Sequence, residues 1–363
     1  MKKLLAPLCL LLAVCLLAGC AGSPVVYQCT CPTEGQEQTP TEAPQDTPKE
    51  TEPDVKAEGA VKTGLAIVGN AAKSASATAE AEGKAEYDIT VAAVTVDENG
   101  VILSCQLDSI GATVKFDANG VITSDLTAEI LTKNELGDDY NMKLYGGAKY
   151  EWYEQAAALA DYAVGKTVEQ LRAGAVNESG KAADVDLATT ATIYLGGYVD
   201  AIEAAVNNAQ YLGAQAGDEL KLAVLNSAAS SASATAEKNG AAQLDVDVTA
   251  ITMNGEIITS CVIDSLQAKV AFDASGAITS DVNAALPTKT QLGDGYNMKL
   301  YGGAQFEWYE QAASFAAYVT GKTAAEVSGI AVDEGTKPTD ADLVASVTIA
   351  VGGFQALIAK AAQ

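Results

Sequence analysis

Apolar and polar positions alternate along the chain in a way that is typical of paired strands. Residues 86–97 and 101–107 are rich in apolar and β-branched residues, and Asp97-Glu-Asn-Gly100 lies between them. This pattern predicts two strands joined by a turn. Residues 112–116 and 121–126 repeat the arrangement around Asp117-Ala-Asn-Gly120. The Asp and Asn residues of these turns lack the alternating ligands of a calcium loop, which favours turn chemistry.

The spacing of apolar residues then changes to three and four, which predicts helices. The positions concerned are Trp152, Ala156, Leu159, Ala160 and Ala163, and later Trp308, Ala312, Phe315, Ala316 and Val319. Thr167-x-x-Gln170 and Thr323-x-x-Glu326 are typical of capping boxes that open a further short helix. Residues 188–195 and 344–351 are apolar and β-branched, which predicts strands, and each run leads through Gly-Gly into a last helix, 198–209 or 354–362.

This order of elements occurs twice because the chain contains an internal repeat. Residues 132–157 return as residues 288–313, with 21 of 26 positions identical. The sequence therefore predicts one repeat domain at 59–207, a linker at 208–218 and a second repeat domain at 219–363. Strands come first and helices are added later, which predicts an α+β fold, a largely antiparallel sheet with packed helices in each copy. Whether the two copies pack together is left open.

The N-terminus has the features of an export signal. Lys2 and Lys3 precede an apolar run that ends in Leu17-Ala-Gly-Cys20. This ending resembles the lipobox of bacterial lipoproteins, and the resemblance implies that residues 1–19 are a removed signal peptide. It also implies that Cys20 carries lipid such as palmitate, which anchors the protein outside the cytoplasmic membrane. The alternative is an uncleaved N-terminal helix. Residues 20–58 are rich in Pro, Thr and Glu, which predicts a disordered tether.

Charge and composition narrow the classes of function. The chain has a formal net charge of −25 and no histidine. Such an acidic protein is repelled by phosphate backbones, so a nucleic-acid partner is not expected. Without histidine, Ser-His-Asp catalysis and His-ligated zinc or haem are excluded. No general base with a matched nucleophile is evident, so we do not expect an enzyme, a metal site or haem.

Several residues have a structural and a functional interpretation. The pairs Glu151/Glu154 and Glu307/Glu310 could act as acid and base, but carboxylates in a first helical turn more commonly meet the helix dipole. The segment Tyr145-Gly-Gly-Ala-Lys-Tyr-Glu-Trp152 has the aromatic and glycine-rich composition of a binding loop, whereas its Trp fits a core position. Cys105 and Cys261 lie in apolar runs, which favours buried hydrophobic roles. No role is assigned to Cys29 and Cys31.

The Gly-Gly segments are the candidate ligand sites. Gly196, Gly197, Gly352 and Gly353 each open a predicted helix, and helix N-termini with close backbone access suit phosphate groups. The preceding segments, Asp184 to Ile193 and Asp340 to Ile349, distantly resemble the C-terminal part of FMN-binding domains of surface electron-transfer lipoproteins. That resemblance implies Thr192 and Thr348 as threonines that take the flavin phosphate covalently. Both copies lack the glycine that this family has in its turn.

These observations give two hypotheses for function. The first is a lipid-anchored extracytoplasmic protein with two tandem binding modules, which hold FMN and exchange electrons with a membrane redox partner. The second is a non-catalytic structural or adhesion lipoprotein that contacts a cell-wall polymer or a protein partner. Two weak sites on one chain gain from avidity. The repeat as a whole resembles an uncharacterised surface-lipoprotein module of anaerobic Gram-positive bacteria.

Overall fold

The computed structural model describes residues 59–363. The predicted signal peptide, Cys20 and the tether lie outside these residues. The first repeat contains strands β1 (Lys62–Asn70), β2 (Gly83–Val96) and β3 (Ile102–Phe116), and helices α1 (Lys133–Leu136), α2 (Met142–Gly146), α3 (Trp152–Ala163), α4 (Val168–Ala175), α5 (Leu187–Thr190) and α6 (Gly196–Asn207). The second contains β4 (Glu219–Ser227), β5 (Gly240–Asn254), β6 (Ile257–Phe272), α7 (Lys289–Leu292), α8 (Met298–Gly302), α9 (Trp308–Val319), α10 (Ala324–Ser328), α11 (Ala341–Val344) and α12 (Gly352–Ala361). Short 3₁₀ turns follow α1 and α7.

Each repeat forms a three-stranded antiparallel sheet, ordered β1-β2-β3 and β4-β5-β6, with helices packed on it. This confirms the predicted α+β class and its antiparallel sheet. The turn at Asp97 is also confirmed, since its carboxylate accepts hydrogen bonds from the backbone N–H groups of Asn99 and Val101, both at 2.8 Å. Apart from Val101, residues 101–107 and 112–116 belong to the one long strand β3, whereas residues 121–126 contribute only an isolated bridge between Phe116 and Ile122.

The strands predicted at 188–195 and 344–351 are wrong. The structure has the short helix α5 at the start of the first run and ends α11 at the first residue of the second, and the backbone that follows is irregular and outside both sheets. The side-chain Oε1 of Gln155 accepts hydrogen bonds from the backbone N–H groups of Thr192 (2.7 Å) and Ile193 (3.1 Å). A buried glutamine therefore supplies the acceptor that a neighbouring strand would otherwise supply.

The two repeats share a central core. One face of each sheet packs against the same face of the other, and the outer faces are covered by helices. The layers are therefore helices, sheet, sheet and helices, with both repeats needed to bury the middle. Phe116 and Phe272 occupy equivalent positions and stack across this core, with ring centroids 4.0 Å apart and planes within 2°. The hydroxyl of Tyr87 donates to the carbonyl of Ala242 at 2.7 Å across the same contact.

The contact between the repeats is nearly symmetrical. The backbone N–H of Ala77 donates to the carbonyl of Gly276, and that of Ala234 donates to Gly120, both at 2.8 Å. A Cβ atom at Gly120 would lie 2.6 Å from the carbonyl oxygen of Asp273, so a side chain cannot fit there. The predicted linker also belongs to this body, because Thr63 N–H donates to the carbonyl of Gln210 at 2.9 Å.

Thr336 provides a test of local strain. It has φ +59°, whereas the equivalent residue of the first repeat is Gly180. A left-handed backbone conformation costs most residues about 1–2 kcal/mol, and glycine avoids this cost. Part of that gain in stability is lost because glycine has more conformational entropy in the unfolded chain. We expect Thr336→Gly to raise the free energy of unfolding by about 0.5–1 kcal/mol in urea titrations. The control Glu334→Gly, in the same loop, should not stabilise, and equal values for both variants would contradict the explanation.

Asp264 provides a test of pH dependence. Burial raises the pKa of its carboxyl. A raised folded-state pKa means that the folded protein binds the proton more tightly, so this group destabilises the fold as pH rises through its folded pKa. The backbone N–H groups of Ser265 (2.7 Å) and Thr290 (3.2 Å) both donate to Oδ1, an acceptor that asparagine retains.

We therefore expect Asp264→Asn to gain stability relative to wild type as the pH is raised from 4 to 7. Chemical denaturation at several pH values measures this difference. The exposed control Asp139→Asn should show no such trend, and a flat difference for Asp264→Asn would refute the prediction.

Candidate functional site

Thr192, Gly196 and Gly197 lie together at the start of α6. Thr192 is exposed, and its hydroxyl donates to Oε1 of Gln155 at 3.1 Å. The N-terminus of α6 begins at Gly196 and lacks a side-chain cap. A Cβ atom at Gly196 would lie 2.7 Å from the Tyr194 hydroxyl, so the ring of Tyr194 covers this glycine.

The second repeat has the same arrangement, except that Thr336 rather than a tyrosine covers the glycine that opens the helix. Thr348 is exposed and its hydroxyl donates to Oε1 of Gln311 at 3.2 Å. Gly352 opens α12, and a Cβ atom there would lie 3.1 Å from Cβ of Thr336, while Gly353 is exposed. Neighbouring side chains therefore cover Gly196 and Gly352, and neither glycine offers an open face to a phosphate group.

Gln155 and Gln311 were not singled out by the sequence, although they organise these segments. Both are fully buried. Nε2 of Gln155 donates to the carbonyl of Tyr150 at 2.9 Å, and Gln311 makes the same bond to Phe306 at 2.8 Å. Their recurrence in Glu-Gln-Ala-Ala of both repeats was a usable signal, since a polar residue on an apolar helix face needs a partner.

The buried carboxylates of Glu151 and Glu307 hold the N-termini of the short helices α2 and α8. Only 2% of Glu151 is exposed, and its two carboxylate oxygens accept from the backbone N–H groups of Met142 (2.7 Å) and Lys143 (3.0 Å). Glu307 binds Met298 and Lys299 in the same way. These carboxylates satisfy the first N–H groups of α2 and α8, which favours the structural interpretation of the Glu pairs.

The short helices held in this way carry large apolar side chains on the surface. Leu144 is 68% exposed and Tyr145 is 84% exposed, and Leu300 and Tyr301 have the same two values. We call each pair a Leu–Tyr platform. Trp152, six residues beyond Gly146, is 1% exposed, which confirms its predicted core position. The aromatic loop therefore combines a buried anchor with an exposed platform.

A lysine in each repeat contacts the aromatic rings near the platform. The Nζ atom of Lys133 lies 5.2 Å from the ring centroid of Trp152 and 5.3 Å from that of Tyr140. Lys289 makes the same contacts with Trp308 and Tyr296, at 4.9 and 5.5 Å. Burial lowers the pKa of both lysines. These cation–π contacts join α1 to α3 and α7 to α9.

The Cys261 thiol is buried within the second repeat. Burial raises the pKa of the Cys261 thiol to about 12, so it is not a nucleophile at neutral pH. Among residues 59–363, no three His, Cys, Asp or Glu side chains are placed to hold a metal ion. Within the same residues, no helix is both long and apolar enough to cross a bilayer.

Comparisons with protein-family models, with curated proteins and with solved structures found no match for this chain.

Proposed function

We propose that this protein is a non-catalytic surface protein that binds a repetitive cell-wall polymer through its two Leu–Tyr platforms. The observation that carries the proposal is the exposure of Leu144, Tyr145, Leu300 and Tyr301, large apolar side chains on short helices held by buried glutamates. Exposed Tyr on a rigid backbone offers contact area at low entropic cost, which suits a binding surface.

The presence of two matching platforms in one chain supports a polymer of repeating units as the partner. The platforms have the same sequence, the same exposure and the same buried glutamate contacts in both copies. Two matched sites on one body can engage two units of a polymer at once, so the second contact gains from effective concentration. Lipid attachment at Cys20 would place this body outside the membrane, beside the wall. Loss of fatty-acid labelling in Cys20→Ser tests that part of the proposal.

The platform test uses purified Gram-positive peptidoglycan sacculi as the probe. Serine replaces both residues of one platform (Leu144/Tyr145), of the other (Leu300/Tyr301), or of both. We expect each single-platform variant to bind at least tenfold more weakly, because one remaining platform cannot gain from avidity. The double variant should bind near background, because both contact surfaces are removed. Val185→Ser is the control, since Val185 is 78% exposed outside the platforms. Wild-type binding by the double variant would refute the proposal.

Flavin attachment at Thr192 and Thr348 stays a separate prediction. What supports it is that both threonines are exposed in equivalent surroundings. The covered faces of Gly196 and Gly352 do not add support for a phosphate there. If the attachment occurs, protein purified from its native cells should absorb in the visible flavin band. The absorbance should fall by half in Thr192→Ala and vanish when Thr348→Ala is added. A colourless native protein would end the prediction.

A further inference from the structure

A cavity of about 660 Å³ lies between the two repeats, apart from the platforms. Strand β6 lines it with Val262 and Ile263, whose side chains lie on opposite faces of the sheet, and helix α9 forms one wall with Ala313 and Ala317. The opposite wall comes from the end of α6 and the linker, which contribute Asn207, Asn208 and Gln210. A volume of this size is typical of small-molecule sites in proteins.

The equivalent place on the other side of the molecule is bridged by polar side chains. Lys360 forms an ion pair with Glu135, and its ammonium also donates to the carbonyl of Val224 at 2.6 Å. Nε2 of Gln106 donates to the carbonyl of Leu220 at 2.6 Å. These three side chains therefore reach from one repeat to the other.

The cavity side lacks all three of these side chains. The repeat places Ala204 at the position of Lys360, Gln291 at that of Glu135 and Val262 at that of Gln106. Two of the three replacements, Val262 and Gln291, line the cavity. The two halves of the molecule have thus diverged at these three positions, although on the cavity side the hydroxyls of Thr63 and Ser260 still form a hydrogen bond between the repeats at 2.7 Å.

The chemistry of the lining indicates the class of ligand. Its lining combines apolar side chains from β6 and α9 with side-chain amides that both donate and accept hydrogen bonds. None of the lining residues is Lys or Arg, and Asp264 is the one carboxylate among them. Together with the net charge of −25, this lining disfavours an anion.

We propose that this junction cavity binds a small neutral amphiphile, whose apolar part contacts Ile263 and Ala313 and whose polar edge meets the amides of Asn207 and Gln210. The site is independent of the platforms and of what they bind. Within residues 59–363 we expect one such site, because Lys360 and Glu135 form an ion pair across the related space on the other side.

The test is a fluorescence titration with N-phenyl-1-naphthylamine, a neutral amphiphilic dye that brightens in apolar sites. Wild type should bind the dye saturably, with one site per chain. The variant Ala204→Lys/Val262→Gln/Gln291→Glu copies the bridging residues of the other side and should bind at least tenfold more weakly. A second variant, Ala317→Phe, fills the wall at an exposed helix position and should weaken binding in the same way.

The Leu300→Ser/Tyr301→Ser variant separates this proposal from the proposed function. It should bind the dye as wild type does, because the platform lies outside the cavity lining. Absence of saturable binding in wild type would overturn the proposal. Unchanged binding in both filled variants, or loss of dye binding in the platform variant, would overturn it as well.

Discussion

Replacing Phe272 with alanine is expected to lower the free energy of unfolding by about 3–5 kcal/mol. Phe272 is fully buried and stacks on Phe116 in the core that both sheets share. Removing the ring leaves a cavity where the two sheets meet. Neither sheet can fill this cavity without disturbing the hydrogen bonds between its own strands. Phe306→Ala is the matched control, because Phe306 is only half-buried and should cost clearly less.

The same stack predicts coupling between the repeats. Phe116→Ala in the Phe272→Ala background should cost less than it does alone, since the first substitution has already removed the ring contact. Urea denaturation of the four proteins in this cycle measures the coupling energy. Additive losses, or a loss below about 1 kcal/mol for Phe272→Ala, would show that the ring stack does not hold the repeats together.

Replacing Glu307 with glutamine is the second change expected to have a large effect, a loss of about 1.5–3 kcal/mol in the free energy of unfolding. Glu307 is 3% exposed and accepts from the N–H groups of Met298 (2.7 Å) and Lys299 (3.1 Å). Hydrogen bonds to a charged group are worth about 1.5–3 kcal/mol each. An amide offers one oxygen and one NH₂ group, so one of the backbone donors would face another donor.

The expected effect is local as well as global. Helix α8 has only five residues and should open when its cap is lost, which exposes the bond after Lys299 to trypsin. Hydrogen exchange at Met298 and Lys299 should accelerate in parallel. Glu334→Gln removes the same charge from an exposed loop and should leave both measurements unchanged. Normal protection of α8 in Glu307→Gln would show that the carboxylate does not hold the platform.

The sequence predicted the parts of the fold that depend on short-range patterns. The helices at 152–163 and 308–319 follow from apolar spacing, and both capping boxes, at Thr167 and Thr323, are present. Strands β1 and β4 were not predicted. Their sequences include small residues such as Gly64, which are not typical of strands. A side chain at Gly64 would collide with the carbonyl of Ala205 in helix α6, so this position requires glycine.

The two false strands show why a pattern is sometimes insufficient. The run that contains Thr192 and Ile193 has strand-like composition, yet its backbone is satisfied by a glutamine 37 residues earlier in the chain. The sequence pattern also did not predict that the Leu–Tyr platforms are exposed. Leu144 and Tyr145 have the composition of core residues, and only the position of α2 on the surface shows that they face solvent.

By itself, the sequence determined the duplication, the α+β class, the turns and the principal helices, because each of these depends on residues that are neighbours in the chain or on a direct repeat. The tertiary structure decided that the repeats share one core, that Glu151 and Glu307 are buried caps, and that Lys360, Glu135 and Gln106 bridge one side of the junction while the other side holds a cavity. These features depend on contacts between residues more than a hundred positions apart, or on which face of an element is covered, and neither is encoded in local periodicity.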